Sequence, residues 1–107
     1  MQALTWFGKE NVQVVDAKIP DITQDDDVVL KVTGTTVCGS DLHLYHSEIL
    51  NMQKGDILGH EFCGKVDRVG KNVTKLQVGQ RVVVSFQIAC GKCRYCEQKL
   101  SSFCERT

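Results

Sequence analysis

The sequence predicts a mainly β domain, a barrel or sandwich of short strands with one helical turn and a cysteine-rich lobe near its C-terminal end. Three observations carry this. Runs of β-branched and aromatic residues recur along the chain, glycine and acidic turn signals separate them, and four of the six cysteines crowd into residues 90–104.

Strands are expected, in order, at residues 3–7, 12–19, 28–32, 62–69 and 81–86. Trp6 and Phe7 belong to the first of them. Gly8, the Pro20 Asp21 pair, Asp25 to Asp27, Gly34, Gly55, Gly70 and Gly79 fall between or at the ends of these runs, and Pro20 is the only proline. Residues 40–45 read as a helical turn, with Ser40 or Asp41 capping its exposed amides. No repeat, low-complexity tract or composition shift divides the chain, so residues 1–107 read as one domain with residues 88–104 as its lobe.

Bulk properties narrow the function classes. The chain is 42% hydrophobic and 24% charged, an ordinary globular balance. Thirteen basic and thirteen acidic residues cancel, and no stretch interleaves Lys or Arg with aromatics, so nucleic acid is not an expected partner. The longest apolar run, residues 82–84 extended by Phe86, falls far short of the roughly 20 residues a membrane helix needs. The chain opens without a basic and then apolar leader, and it reads as cytoplasmic, where thiols stay reduced.

That compartment frames the cysteines. Cys90, Cys93, Cys96 and Cys104 are separated by two, two and seven residues. A short loop with this spacing can wrap thiolates around a tetrahedral cation, and zinc prefers four such ligands. Gly91 helps the chain reverse, while Lys92, Arg94 and Lys99 would offset the thiolate charge. A disulfide pairing suits a secreted chain better. Bacterial ferredoxin spacing is two, two and three with a following proline, whereas here Glu105 follows a gap of seven. Four unconnected buried cysteines would not explain regular gaps in a basic loop. Tyr95 and Phe103 are expected to pack around this loop.

A second constellation lies earlier. Cys38 Gly39 Ser40 Asp41 Leu42 His43 and Gly59 His60 Glu61 supply a thiol, imidazoles and carboxylates. Taken singly, Cys38 reads as a small buried hydrophobe and His60 as a partly buried histidine with a backbone partner. Together, cysteine, histidine and an acidic residue are the types that hold a catalytic zinc with one position open to water or substrate. Cys63 reads as a packed strand thiol. Tyr45, His46 and Glu48 read as solvated loop residues bordering a pocket.

Gly59 His60 Glu61 Phe62 Cys63 Gly64, with Gly70 and Val73 following, resembles the signature of zinc-containing medium-chain alcohol dehydrogenases. Cys38 Gly39 Ser40 Asp41 with His43 resembles the other half of that family's catalytic site, and the four-cysteine loop its structural zinc lobe. CGSDLHLY and KGDILGHEF look closest to the branch of glutathione-independent formaldehyde dehydrogenases and fungal relatives.

The resemblance implies a partly open barrel similar to the small chaperonin GroES. It also implies that Cys38, His60 and Glu61 hold a catalytic zinc, with Glu61 binding in some states only, and that Cys90, Cys93, Cys96 and Cys104 hold a structural one. Asp41 would orient His60, and Ser40 would take the proton of a zinc-bound alcohol and relay it through the cofactor ribose towards His43. Hydride would pass to NAD(P), and the substrate would be a small alcohol or aldehyde.

The family's enzymes continue well beyond this length into a nucleotide-binding domain. None of the nine glycines here forms a GxGxxG run, so no Rossmann domain and no cofactor-binding residue are expected in this chain. The remaining catalytic ligand also lies outside it. The expectation is therefore a truncated catalytic domain that needs a nucleotide-binding partner chain, or assembles as a homo-oligomer, and is not redox-competent alone. Two other functions compete: an independent zinc-binding scaffold, and a nicotinamide-independent Lewis-acid enzyme built on Cys38, His60 and Glu61.

Overall fold

The computed structural model describes residues 1–107. Strands β1 (Gln2–Gly8) and β2 (Asn11–Asp16) form an antiparallel hairpin through a tight turn in which Glu10 adopts φ 55°. Alternation along β1 buries Ala3 and Thr5, and Trp6 is buried beside them. The second strand stops at Asp16, short of residue 19, because its partner runs out. Asp16 faces Gln2, and beyond it only the Ala17 N–H finds an acceptor, the Met1 carbonyl at 2.8 Å.

Strands β3 (Val28–Thr35), β4 (Phe62–Val69) and β5 (Arg81–Val84) make a second antiparallel sheet in that order. Val66 at its centre is 2% exposed and packs the core with Val29. The same rule sets the ends here. Strand β3 extends to Thr35, past the expected residue 32, because Thr35 faces Phe62. Strand β5 ends at Val84, before Phe86, because Val84 faces the first residue of β4.

The element order contains no alternation of strand and helix that would build a parallel sheet. Helix α1 (Gly39–Tyr45) follows β3, and α2 (Arg94–Glu97) with a 3₁₀ turn (Ser101–Phe103) forms the C-terminal end.

The segment that precedes β4 is tied to β1, where Leu58 N–H donates to Leu4 O at 2.9 Å and Trp6 N–H to Asp56 O at 2.8 Å. The space between the two sheets stays open. An apolar trough of about 1540 Å³ runs there, lined by Leu4, Val28, Leu30, Val82 and Val84 among others. The accessible surface of 8100 Å² exceeds the roughly 6,000 Å² expected of a compact chain of 11.9 kDa, so the barrel is partly open, as the resemblance implies.

Gly70 ties the sheet to the acidic 25–27 turn. Its N–H donates to Asp27 O at 2.8 Å, and a Cβ at this position would lie 2.2 Å from Asp25 O. Backbone cannot yield cheaply. Gly70→Ala is expected to cost about 3 kcal/mol, at the upper end for overpacking, read as a lowered urea midpoint. An unchanged midpoint would show that the turn yields freely.

Candidate metal centres

The pairing of β3 with β4 builds the first centre. Because Thr35 faces Phe62, the residues just after β3 and just before β4 come side by side. Thr36 N–H and the Thr35 hydroxyl both donate to Glu61 O, at 3.3 and 3.1 Å. Cys38, His60 and Glu61 thereby converge, with one ligand atom from each within 4.8 Å of the others.

Cys38 is also the N-cap of α1, with φ −93° and ψ 157°. This corrects the expected cap at Ser40 or Asp41. Asp41 stands three residues into the helix side of the junction, and its Oδ2 accepts the Cys38 N–H at 2.8 Å, so the helix can begin one residue earlier. Asp41 is only 5% exposed. Its Oδ1 is buried without a hydrogen bond and stands 3.4 Å from His60 Nδ1. The other ring nitrogen, Nε2, lies 3.3 Å from Ser40 Oγ.

These contacts tune the donors. Hydrogen bonds from the Ser40 side chain and then its backbone N–H hold the Cys38 thiol below its usual pKa, with His60 adding to them. Hydrogen bonding to Cys38 raises the His60 pKa, burial opposes it, and the Asp41 charge adds to the rise. A thiolate beside an imidazole that has exchanged its proton for a cation satisfies both tendencies.

His43 lies outside this ligand group. It sits on the exposed side of α1, its Nδ1 hydrogen-bonded to Glu48. Hydrogen bonding from His43 is the main cause that holds the Glu48 carboxyl below its usual range. His46 Nδ1 meets Glu10 at 3.2 Å. Glu48 and His46 are exposed, as expected, but they are paired rather than simply solvated. Cys63 lies outside both ligand groups, half-buried on β4, with its sulfur 3.9 Å from the Thr33 hydroxyl. Phe86, read only as a strand residue, stands edge-on to His60 at 6.5 Å between ring centroids. No local sequence signal marks it.

The second centre gathers Cys90, Cys93, Cys96 and Cys104, whose sulfurs lie within 4.8 Å of one another. They converge on one point instead of pairing off, and all are free thiols. Gly91 takes φ +73°, which lets the chain reverse between Cys90 and Cys93. Cys93 caps α2 and Cys96 lies within it. The Cys104 sulfur accepts the N–H groups of Cys90 at 3.3 Å and Arg106 at 3.4 Å.

Those two N–H groups lower the Cys104 pKa to about 6. The N–H groups of Glu105 and Cys96 lower that of Cys93, whereas burial pushes Cys96 up to about 11. Basic side chains do not have the part expected of them. Lys92 turns to Asp26 at 3.4 Å, and Arg94 pairs with Glu105 at 2.8 Å while stacking over Tyr95. Backbone dipoles stabilise the thiolates instead. Tyr95 and Phe103 pack together with centroids 6.1 Å apart.

A model of the alcohol dehydrogenase GroES-like domain matches residues 24–107. The chain belongs to this family. Over its whole length it is 49% identical to the zinc-type alcohol dehydrogenase-like protein AdhB of Bacillus subtilis, covering 28% of that protein. A zinc-type alcohol dehydrogenase-like protein of Schizosaccharomyces pombe is 42% identical over 100% of this chain and 26% of its own length, a fungal relative as the motifs suggest. Alcohol dehydrogenase TADH from Thermus sp. ATN1 superposes with a TM-score of 0.93 at 42% identity, over 99% of this chain and 30% of that one. This alcohol dehydrogenase GroES-like domain thus spans less than a third of the length of these relatives. No helix in it is long and apolar enough to cross a membrane.

Both donor sets fit zinc. Zn–S bonds of about 2.3 Å put the sulfurs of a tetrahedral site about 3.8 Å apart, and the four thiols of this alcohol dehydrogenase GroES-like domain are already gathered to near that span. Cys38, His60 and Glu61 offer three donors of the types used by open sites. The unfilled Asp41 Oδ1 is aimed at the one imidazole nitrogen that a ligated His60 would leave as a donor.

Proposed function

We propose that residues 1–107 form a single GroES-like domain that supplies the substrate-activating half of a zinc-dependent alcohol or aldehyde dehydrogenase. The convergence of Cys38, His60 and Glu61, with buried Asp41 behind His60, carries this reading. In it, Cys90, Cys93, Cys96 and Cys104 hold a structural zinc in the 88–104 lobe, and Cys38, His60 and Glu61 hold a catalytic one. Zinc at the latter site supplies Lewis acidity towards the oxygen of a small alcohol or aldehyde.

The chain's own residues have distinct tasks. Asp41 accepts the Nδ1–H of His60, which fixes the tautomer and leaves Nε2 as the ligand atom. Ser40 takes the substrate's hydroxyl proton while releasing its own towards His43, one helical turn along α1. Being exposed, His43 passes that proton on to water. Hydride acceptance belongs to NAD(P) held by a nucleotide-binding unit other than residues 1–107, in another chain or domain.

Cobalt-substituted protein tests this. Adding a small alcohol should change the visible absorption of a cobalt ion that is lost in His60→Ala, and leave the tetrathiolate absorption untouched. Full occupancy of the Cys38–His60 site with no response to alcohols or aldehydes would overturn the substrate-activating role.

A further inference from the structure

The end of α1 is closed by a Schellman motif. His46 is the C-cap, Ser47 takes φ 59°, the Ser47 N–H donates to Leu44 O at 3.0 Å, and the Glu48 N–H donates to His43 O at 2.9 Å. This backbone geometry brings the side chains of residues 43 and 48 together, and such motifs usually place an apolar contact there. Here the pair is an imidazole and a carboxylate, joined through His43 Nδ1. The choice of residues is chemical, since two apolar side chains would close the helix as well.

We propose that Glu48 is a positioning residue for His43, holding its Nδ1–H so that the opposite nitrogen, Nε2, stands free as a proton acceptor. This rests on the proposed role of His43 at the exposed end of the proton path. An unconstrained neutral imidazole favours the proton on Nε2, the wrong nitrogen for such a task. A carboxylate at Nδ1 reverses the preference, as in other histidines oriented by an acid.

The surrounding charges leave Glu48 to this task. The neighbouring His46 has its own acceptor, Glu10, whose N–H also donates to Tyr45 O at 2.8 Å and ties the corner to the β1–β2 turn. Lys9 acts on Glu48 only at longer range, and its carboxyl is lowered chiefly by the His43 hydrogen bond, so it is ionised near neutral pH. The charges of His46 and Lys9 act on Glu48 less than the His43 hydrogen bond does, and both side chains of the pair are more than half exposed.

Long-range ¹⁵N–¹H correlation of the imidazole rings in the zinc-loaded chain, at about pH 8 where free histidines are neutral, reads the tautomer directly. His43 is expected mainly as Nδ1–H. Glu48→Leu puts an apolar side chain at the position where this motif frequently carries one and leaves the backbone bonds of the helix end in place, yet His43 should switch to mainly Nε2–H. Glu48→Asp, which keeps the carboxylate, should restore part of the Nδ1–H form. A wild-type His43 protonated on Nε2, or a tautomer unchanged in Glu48→Leu, would overturn the proposal. No turnover is involved. An Nδ1–H His43 in a chain whose cobalt site ignores alcohols would therefore overturn the substrate-activating reading and leave the Glu48 assignment standing.

Discussion

Cys93→Ser is expected to lose one zinc per chain and to unfold the segment from Cys90 to Cys104. That segment has almost nothing else to hold it. Its helices span four and three residues, far below the length at which a helix persists alone, and Leu100 and Phe103 are exposed. Only Cys104 is buried, and it is itself a ligand in the proposed cage. Structural zinc contributes on the order of 10 kcal/mol of apparent binding free energy in small peptides, so removing one thiolate removes the main source of order. Rapid amide exchange and proteolysis confined to residues 90–104, with the β3–β4–β5 sheet still protected, is the expected pattern. A variant with wild-type protection and zinc content would remove the structural assignment.

Closure of the lobe in the metal-free chain should carry a pH dependence with two opposing parts. Cys104 has its folded pKa lowered from 9.0 to about 6, so its stabilisation is complete above about pH 9 and is lost as pH falls through 6. Cys96 is raised from 9.0 to about 11, so its contribution is present below about pH 9 and is lost as pH rises through 11. Zinc replaces the protons on both, which is why binding should strengthen with rising pH.

His60→Ala is expected to lower zinc content from two per chain to one, without touching the cysteine loop. Cys38 and Glu61 alone leave too few donors, and the Cys38 thiol loses one of the hydrogen bonds that favour its thiolate. Asp41 stays buried with its Oδ2 on the Cys38 N–H, so the start of α1 should survive. Metal analysis of both variants side by side separates the centres. A parent chain with a single zinc, unaffected by His60→Ala, would show that the first centre is not a metal site and would favour a scaffold reading.

How much of this was legible beforehand differs by element. The strands could be read because β-branched runs are a local property, but their ends could not. Asp16, Thr35 and Val84 end their strands where the paired strand ends, and no residue records the length of its partner. The helix ending at Tyr45 is visible in the sequence, but the better capping types there, Ser40 and Asp41, point to the wrong cap. The structure gives that position to Cys38 because the Asp41 carboxylate reaches back to its N–H. The charge of Lys92 and Arg94 was visible too, but not the carboxylates that claim them.

The sequence by itself determined the types and spacing of the cysteines, the CGSD and GHE runs and the alternation of the strands, because these are written in consecutive residues. Only the tertiary structure decided that Cys38 and His60, twenty-two residues apart in the chain, meet. They do so because the antiparallel register that sets Thr35 against Phe62 lays the two loops together. It also decided that Glu48 belongs with His43: a positive φ at Ser47 folds the chain back on the helix, and backbone geometry of that kind leaves no mark on a serine in a sequence.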